Sequence, residues 1–277
     1  MPTDLTGRSL LAVLAHPDDE SLACGGLLAW CSELGAEISL LCVTDGEHGQ
    51  ENDRASIKPS CDLRDIRTKE LRAATRILGV TNLLQLHYED GMLRWMDTQQ
   101  LETAIGHAIR RLHPDVVITF GEDGLYWHPD HIAVHEATTA AVASLNDAKN
   151  PPTLYYVTMP PGAMRAVVSN AVDTLNINGM CREPPTNILG VSNADTFGAL
   201  AGTPTLVVEI NAFATRKLAA IKCHLSQLGG SALAIMEERD APRLLGTEHY
   251  RRAEVGSRGD AFIEQFGFSF HLDSTAS

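Results

Sequence analysis

Ala15-His16-Pro17-Asp18-Asp19-Glu20 ends an uninterrupted apolar run, residues 9–15 (SLLAVLA), and opens a stretch with Leu22, Leu27, Leu28 and Leu34 near helical spacing, up to Gly35. A run of that length without polar alternation reads as a strand buried on both faces, and Gly is a common helix stop. The same succession recurs outward along the chain. Residues 38–44, 82–87, 116–120 and 154–158 are further strand candidates, and 62–78, 98–112 and 131–145 are helix candidates. This alternation predicts an α/β fold with a mostly parallel sheet flanked by helices on both faces. Such sheets bind ligands beyond the carboxyl ends of their strands. Four polar loops stand there: 16–20, 45–49, 87–90 and 121–131.

Residues 160–204 lose the pattern among Gly, Pro, Asn, Ser and Thr, which predicts an irregular insertion, either a lid or a small subdomain. A strand over 205–210 and a helix over 212–228 are expected next, and residues 273–277 read as a frayed tail. The two histidine-rich loops at 16–20 and 128–131 belong to one constellation. Residues 1–277 are therefore expected to form a single domain.

The composition narrows the function classes. The chain has 277 residues with 22 basic and 35 acidic side chains, a formal charge of −13, and 44% hydrophobic residues. That suits an ordinary globular core. It excludes broad binding of nucleic acid, which needs Lys and Arg to displace counterions. The six cysteines, Cys24, Cys31, Cys42, Cys61, Cys181 and Cys223, show no C-x-x-C spacing and read as free thiols in a reducing compartment. The first residues lack a signal-peptide layout, and no apolar run approaches the roughly 20 residues of a membrane span. A cytoplasmic protein without membrane contact is expected.

The chemistry-bearing residues sit in two His-Pro-Asp turns, His16-Pro17-Asp18 and His128-Pro129-Asp130, the latter continued by His131 and His135. Each turn alone is also good helix-start chemistry, with Pro at the first position and acids in the first turn. Following parallel strands, however, both turns reach one rim of the sheet. Two imidazoles and one carboxylate converging there form a three-ligand site for a catalytic zinc, with iron, cobalt or nickel as substitutes. Of Asp18 and Asp19, one can hold the metal while the other takes a proton from the attacking water. His128 can donate to a developing oxyanion, with Asp130 holding that imidazole charged and oriented. These parts describe metal-assisted hydrolysis of an amide or ester.

The opening hexapeptide with Gly25-Gly26 resembles the signature of the LmbE/PIG-L family of zinc-dependent N-deacetylases. The similarity continues through Val43-Thr44-Asp45-Gly46-Glu47-His48-Gly49, Arg67-x-x-Glu70-Leu71, the block from Gly124 to His135, and Lys217 with His224-x-Ser226-Gln227. The resemblance implies a Rossmann-like α/β fold and zinc held by His16, Asp19 and His131. It also implies Asp18 as general base and His128 as oxyanion donor, backed by Asp130. Tyr126 either swings toward the carbonyl oxygen or wedges against the sheet rim. Arg67 either grips a sugar or phosphate oxygen or pairs with a nearby acid. Glu47 and His48 line the sugar pocket, with Gly46 and Gly49 making its turn. Members that act on glucosamine-inositol compounds often carry His two residues before the first ligand; here that position is Leu14.

The implied activity is removal of an N-acetyl group from a small molecule containing N-acetylglucosamine. The alternatives are amidase action on a larger sugar conjugate, such as a thiol S-conjugate or antibiotic-type glycoside, and a non-catalytic zinc- or sugar-binding module. A spare acid and an oxyanion donor disfavour the last. The partner is a small amino-sugar substrate, and an apolar flank on 160–204 leaves a homo-oligomer open. His87, Glu89 and Asp90 are rim residues to which the sequence assigns no role.

Overall fold

The computed structural model describes residues 4–49, 62–145, 149–177 and 185–269. The apolar runs become the parallel strands β1 (Ser9–Leu14), β2 (Glu37–Thr44), β3 (Asn82–Tyr88), β4 (Val116–Phe120) and β5 (Thr153–Thr158). Every residue of β4 and β5 is buried, as a sheet covered on both faces requires. β3, at the sheet edge, is only half-buried. Three shorter-range partners extend the sheet: β6 (Leu206–Glu209), β7 (Thr247–Gly256) and β8 (Gly267–Ser269), all paired antiparallel. The strand order is β3-β2-β1-β4-β5-β7-β6-β8. The chain winds outward to β3 on one side of β1 and to β4 and β5 on the other. The topological switch point lies between β1 and β4, where such a sheet opens a ligand crevice.

The helices are α1 (Asp19–Glu33), α2 (Leu63–Leu78), α3 (Thr98–Leu112), α4 (Gly124–Trp127), α5 (Pro129–Ala143), α6 (Ala163–Ile177), α7 (Ala214–Ile221), α8 (Ala232–Ile235) and α9 (Ala241–Leu245). Among the described residues, no helix is long and apolar enough to cross a membrane. Cys24, Cys31 and Cys42 are buried free thiols and Cys223 is half-buried, while Cys61, Cys181 and the 273–277 tail lie outside the described residues.

Two expectations need correction. The 160–204 stretch is not irregular throughout, because α6 occupies fifteen of its residues. Met164, Val167, Ala171 and Leu175 form the buried stripe of that helix. The helix expected over 212–228 is broken: α7 ends at Ile221, and a 3-10 turn at Leu225–Gln227 follows. The break turns His224 inward, where it is fully buried.

α1 is enclosed on nearly every side, with residues 19–31 all buried. Its middle is held by the Glu248 carboxylate of β7, which accepts the N–H groups of Gly26 at 2.8 Å and Leu27 at 2.9 Å. Lys217 Nζ and the Tyr250 hydroxyl complete that buried cluster, each 2.8 Å from Glu248. The two glycines of α1 differ in their reason for being there. A Cβ on Gly26 would stand 2.4–2.9 Å from three atoms of Ile210, whereas the nearest neighbours of a Cβ on Gly25 stand at 3.4 Å. Gly26→Ala is expected to lower stability by about 1–3 kcal/mol through overpacking. Gly25→Ala should be neutral or stabilising by up to about 1 kcal/mol, because Ala is the better helix former. Urea unfolding of both variants checks the contrast.

Candidate active site

β1 and β4 deliver the two His-Pro-Asp turns to the same crevice. His16 follows β1, and His131 stands in the first turn of α5. The first turn is strained at Asp18, a non-glycine residue at φ 118°. Such backbone persists only where its surroundings hold it. The Asp18 N–H donates to Glu20 Oε2 at 3.0 Å, and Arg67 Nη2 donates to Asp18 Oδ2 at 3.1 Å. Glu20 is itself fixed by Ser21 Oγ at 2.6 Å and by His224 Nε2 at 2.8 Å. The second turn is strained as well, with Leu125 and Trp127 at φ 64° and 69°. Strain therefore concentrates on both sides of the crevice.

Three side chains meet at its floor. His16 Nδ1 lies 3.1 Å from His131 Nε2 and 3.5 Å from Asp19 Oδ2, and His131 Nε2 lies 3.3 Å from Asp19 Oδ1. A tetrahedral ion with bonds of about 2.0–2.1 Å sets its ligands about 3.3 Å apart. The other ring nitrogens settle the tautomers. His16 Nε2 faces Asp90 Oδ1 at 3.0 Å and Asp130 Oδ2 at 3.3 Å, while His131 Nδ1 faces the Gly124 carbonyl at 3.1 Å. Both outer nitrogens thus donate to acceptors, and the inner nitrogens, which otherwise share protons with each other and with Asp19, are the pair left to ligate a metal. That donor set fits a divalent metal, with the outer acids and carbonyl orienting the ligands. The His131 ring is further held by stacking on Phe120, with centroids 4.0 Å apart and planes within 7°.

Two other groupings are close enough to bind an ion, His16 with His128 and His131, and His16 with Asp90 and Asp130. The second would use the nitrogen of His16 that already donates to both acids. In the first, the His128 nitrogen facing the protein, Nδ1, accepts the Asp130 N–H at 3.3 Å. His128 is better placed as a neighbour of the trio than as a member of it.

The charges follow from burial and crowding. Burial pushes the Asp18 carboxyl up to about 7, against the pull of Arg67 and aided by the charge of Asp19. Burial opposes the Asp19 carboxylate too, but the two histidines prevail and hold its pKa well below the usual range. Burial and the neighbouring His131 and His16 push His128 down to about 4. His128 is therefore neutral at pH 7, and because Nδ1 accepts a hydrogen bond, Nε2 carries the proton. Burial raises the Tyr126 phenol well above its ordinary value, so it stays a neutral hydroxyl. The Tyr126 ring packs edge-on against His131 and His128 and leans on Phe197.

A cavity of about 350 Å³ opens above these groups, and its two sides differ in kind. His48, Gly49, Arg67, Asp90 and Gln227 make the polar side; Leu22, Tyr126, Ile188, Leu189, Val191 and Phe197 make the apolar side. His16, Asp18, Asp19 and His128 lie between them.

Most expected site residues meet there, and two stand differently from expectation. Asp130 does not hold the His128 ring. Its carboxylate is fully buried, facing His16 and accepting the N–H groups of Gly91 at 2.7 Å and Leu93 at 3.1 Å. Glu47 is absent from the cavity lining; it accepts the Asp90 N–H at 3.2 Å and faces Arg64. Arg67 is buried and pairs with Asp18, while its Nη1 also donates to the Gly46 carbonyl at 2.8 Å. A Cβ on Gly46 or Gly49 would strike its guanidinium, so both glycines leave room for the arginine. His48 is placed on the rim as expected, tied to Asp90 through its own N–H and Nδ1. His135 faces away from the site, bonded to the Phe120 carbonyl.

The sequence reading passed over Asp90, one of three polar candidates in a loop of the predicted rim. It also passed over the Glu20–His224 pair, whose members are separated by 204 positions. Four residues of the apolar side, Ile188, Leu189, Val191 and Phe197, fall in 185–197, where no motif marks them.

The family described as PIG-L, GlcNAc-PI de-N-acetylase, matches residues 11–142. A 1D-myo-inositol 2-acetamido-2-deoxy-alpha-D-glucopyranoside deacetylase of Acidothermus cellulolyticus is 32% identical over 266 residues, covering 88% of each chain. A probable N-acetyl-alpha-D-glucosaminyl L-malate deacetylase of Bacillus anthracis is 28% identical, covering 83% of this chain and 86% of its own. Among solved structures, the N,N'-diacetylchitobiose deacetylase of Pyrococcus horikoshii superposes with a TM-score of 0.58 at 22% identity, over 89% of this chain and 84% of its own. The structural likeness speaks for the fold, and the sequence likeness speaks for descent. The chain belongs to the PIG-L (LmbE) family of N-deacetylase hydrolases.

Proposed function

We propose that this protein is a zinc-dependent N-deacetylase acting on a small molecule that contains N-acetylglucosamine. One observation carries the reading: Asp18 is a carboxylate beside the ligand trio and is not needed by it. A binding module has no use for such a group, whereas a hydrolase needs a base within reach of its water. When bound by His16, Asp19 and His131, zinc supplies Lewis acidity toward the amide carbonyl and the attacking water.

The chain's own residues do the rest. Asp18, with a pKa near neutrality, takes a proton from water as its oxygen bonds to the acyl carbon. The same proton then passes to the amide nitrogen as the C–N bond breaks, leaving acetate and a free amino sugar. His128, neutral with hydrogen on Nε2, donates to the oxygen on which charge develops. Arg67 holds Asp18 in its strained backbone, and Asp90 and Asp130 hold the His16 ring. The polar side of the cavity, with His48, Arg67 and Gln227, suits sugar hydroxyls. The two relatives share the acetamido sugar and differ in what it carries, inositol or malate. The amino sugar is therefore the constant part of the proposed substrate class.

Three outcomes are expected. Chelation abolishes amine release from N-acetylglucosaminides, and one equivalent of zinc per chain restores it; activity indifferent to chelator and metal content refutes the mechanism. Asp18→Asn keeps zinc by elemental analysis but lowers kcat by about 10²–10⁴-fold, the usual contribution of a general base. Zinc loss in that variant, with retention in Asp19→Asn, would mean the two roles are exchanged. His128→Ala lowers kcat by about 10²–10³-fold with little change in KM, as expected for a donor acting on the transition state.

A further inference from the structure

A second cavity, of about 300 Å³, adjoins the active-site cavity at one residue. Leu22 lines both. It stands one helical turn after Asp18 and Asp19 on α1 and is buried. Phe197 lines the active-site cavity, and its neighbour Gly198 packs so closely on Met159 that a Cβ there would strike the Met159 carbonyl. Met159 belongs to the second cavity, with Ala23, Val157, Ala163 and Met164. One wall of this cavity carries Lys217 and Glu248, but they neutralise each other and are engaged with α1 and Tyr250. Arg243, His249, Thr158 and Thr247 also line the cavity, so its apolar part is the portion next to Leu22, formed by Met159 and those four apolar residues.

The two sides of the active-site cavity orient an N-acyl amino sugar. Sugar hydroxyls belong on the polar side, because burying them against Ile188 and Phe197 would leave them without hydrogen bonds. With the amide at the ligand trio, the acyl methyl then points to the apolar side, toward Leu22. We infer that Leu22 is the residue that limits the acyl group to acetyl, and that the cavity behind it is a closed-off pocket for a linear acyl chain of four to six carbons. The inference rests on the N-deacetylase reading and adds to it the acyl half of the specificity.

The test compares the wild type with Leu22→Ala on N-acetyl-, N-butanoyl- and N-hexanoylglucosamine methyl glycosides, scoring amine release by the zinc-loaded protein. The quantity read is the ratio of kcat/KM for hexanoyl to that for acetyl. This ratio is taken within one preparation and is unaffected by a misfolded fraction. The wild type is expected to prefer acetyl, and Leu22→Ala to raise the ratio by about 10-fold or more, the scale on which an apolar pocket discriminates by methylene groups. Leu22→Val, a smaller perturbation, is expected to raise the butanoyl ratio and leave the hexanoyl ratio unchanged. Ala163→Phe fills only the second cavity. Alone it should leave acetyl turnover unchanged, and with Leu22→Ala it should cancel the hexanoyl gain. Deacetylation by the wild type with ratios unmoved in both Leu22 variants overturns the inference, as does a gain that survives Ala163→Phe. Absence of amine release from every N-acyl sugar by the wild type refutes the parent reading instead, and the inference with it.

Discussion

Two imidazole nitrogens 3.1 Å apart, facing each other and a carboxylate, form an arrangement that holds only with a proton or a metal cation among them. Much of the molecule exists to enforce that arrangement. Asp90 and Asp130 keep one ring from turning, and the Gly124 carbonyl and the face of Phe120 keep the other. These partners come from the end of β4 and from the segments that follow β3 and β4. Moving any one strand relative to its neighbours would spoil the convergence. The sheet order, with β1 beside β4, is in this sense a condition of the site.

The second layer of enforcement concerns Asp18. A backbone at φ 118° relaxes unless it is clamped, and here the clamps are charged and buried. Glu20 accepts the Asp18 N–H and is locked by His224, while Arg67 crosses from α2 to reach the Asp18 carboxylate. Breaking a buried pair by removing one partner leaves an uncompensated charge, which typically destabilises by about 3–5 kcal/mol. The strained turn is therefore supported by interactions that cannot loosen by small steps. A carboxylate so held keeps its distance from the metal ligands without being drawn in among them.

The first half of the fold is legible because its strands are continuous apolar runs and its helices end at Gly35 and Gly79. The meeting of the two His-Pro-Asp turns in one crevice is legible because both follow such runs. What escapes the sequence escapes for identifiable reasons. In α6, Ser169, Asn170, Asp173, Thr174 and Asn176 dilute a proper helical stripe, so a long window averages it away. In β7 the inward positions are Glu248 and Tyr250, and a buried acid erases the apolar alternation by which a strand is recognised. Asp130 is misread because sequence adjacency suggests His128 as its partner, whereas the first turn of α5 points its carboxylate at His16 and the loop after β3. Long-range pairs such as Glu20 with His224 leave no local trace.

That last pair also has a meaning in time. A chain emerging from the ribosome carries every ligand of the trio once residue 131 is out, and the four strands that converge on them by then as well. The clamp on Asp18 is completed only when His224 arrives, and the hold of β7 on the middle of α1 only with Glu248. Between those moments the strained turn at Asp18 lacks the support of the Glu20–His224 pair. The separation of the clamp from the turn along the chain thus makes the geometry at Asp18 one of the last features that synthesis can complete.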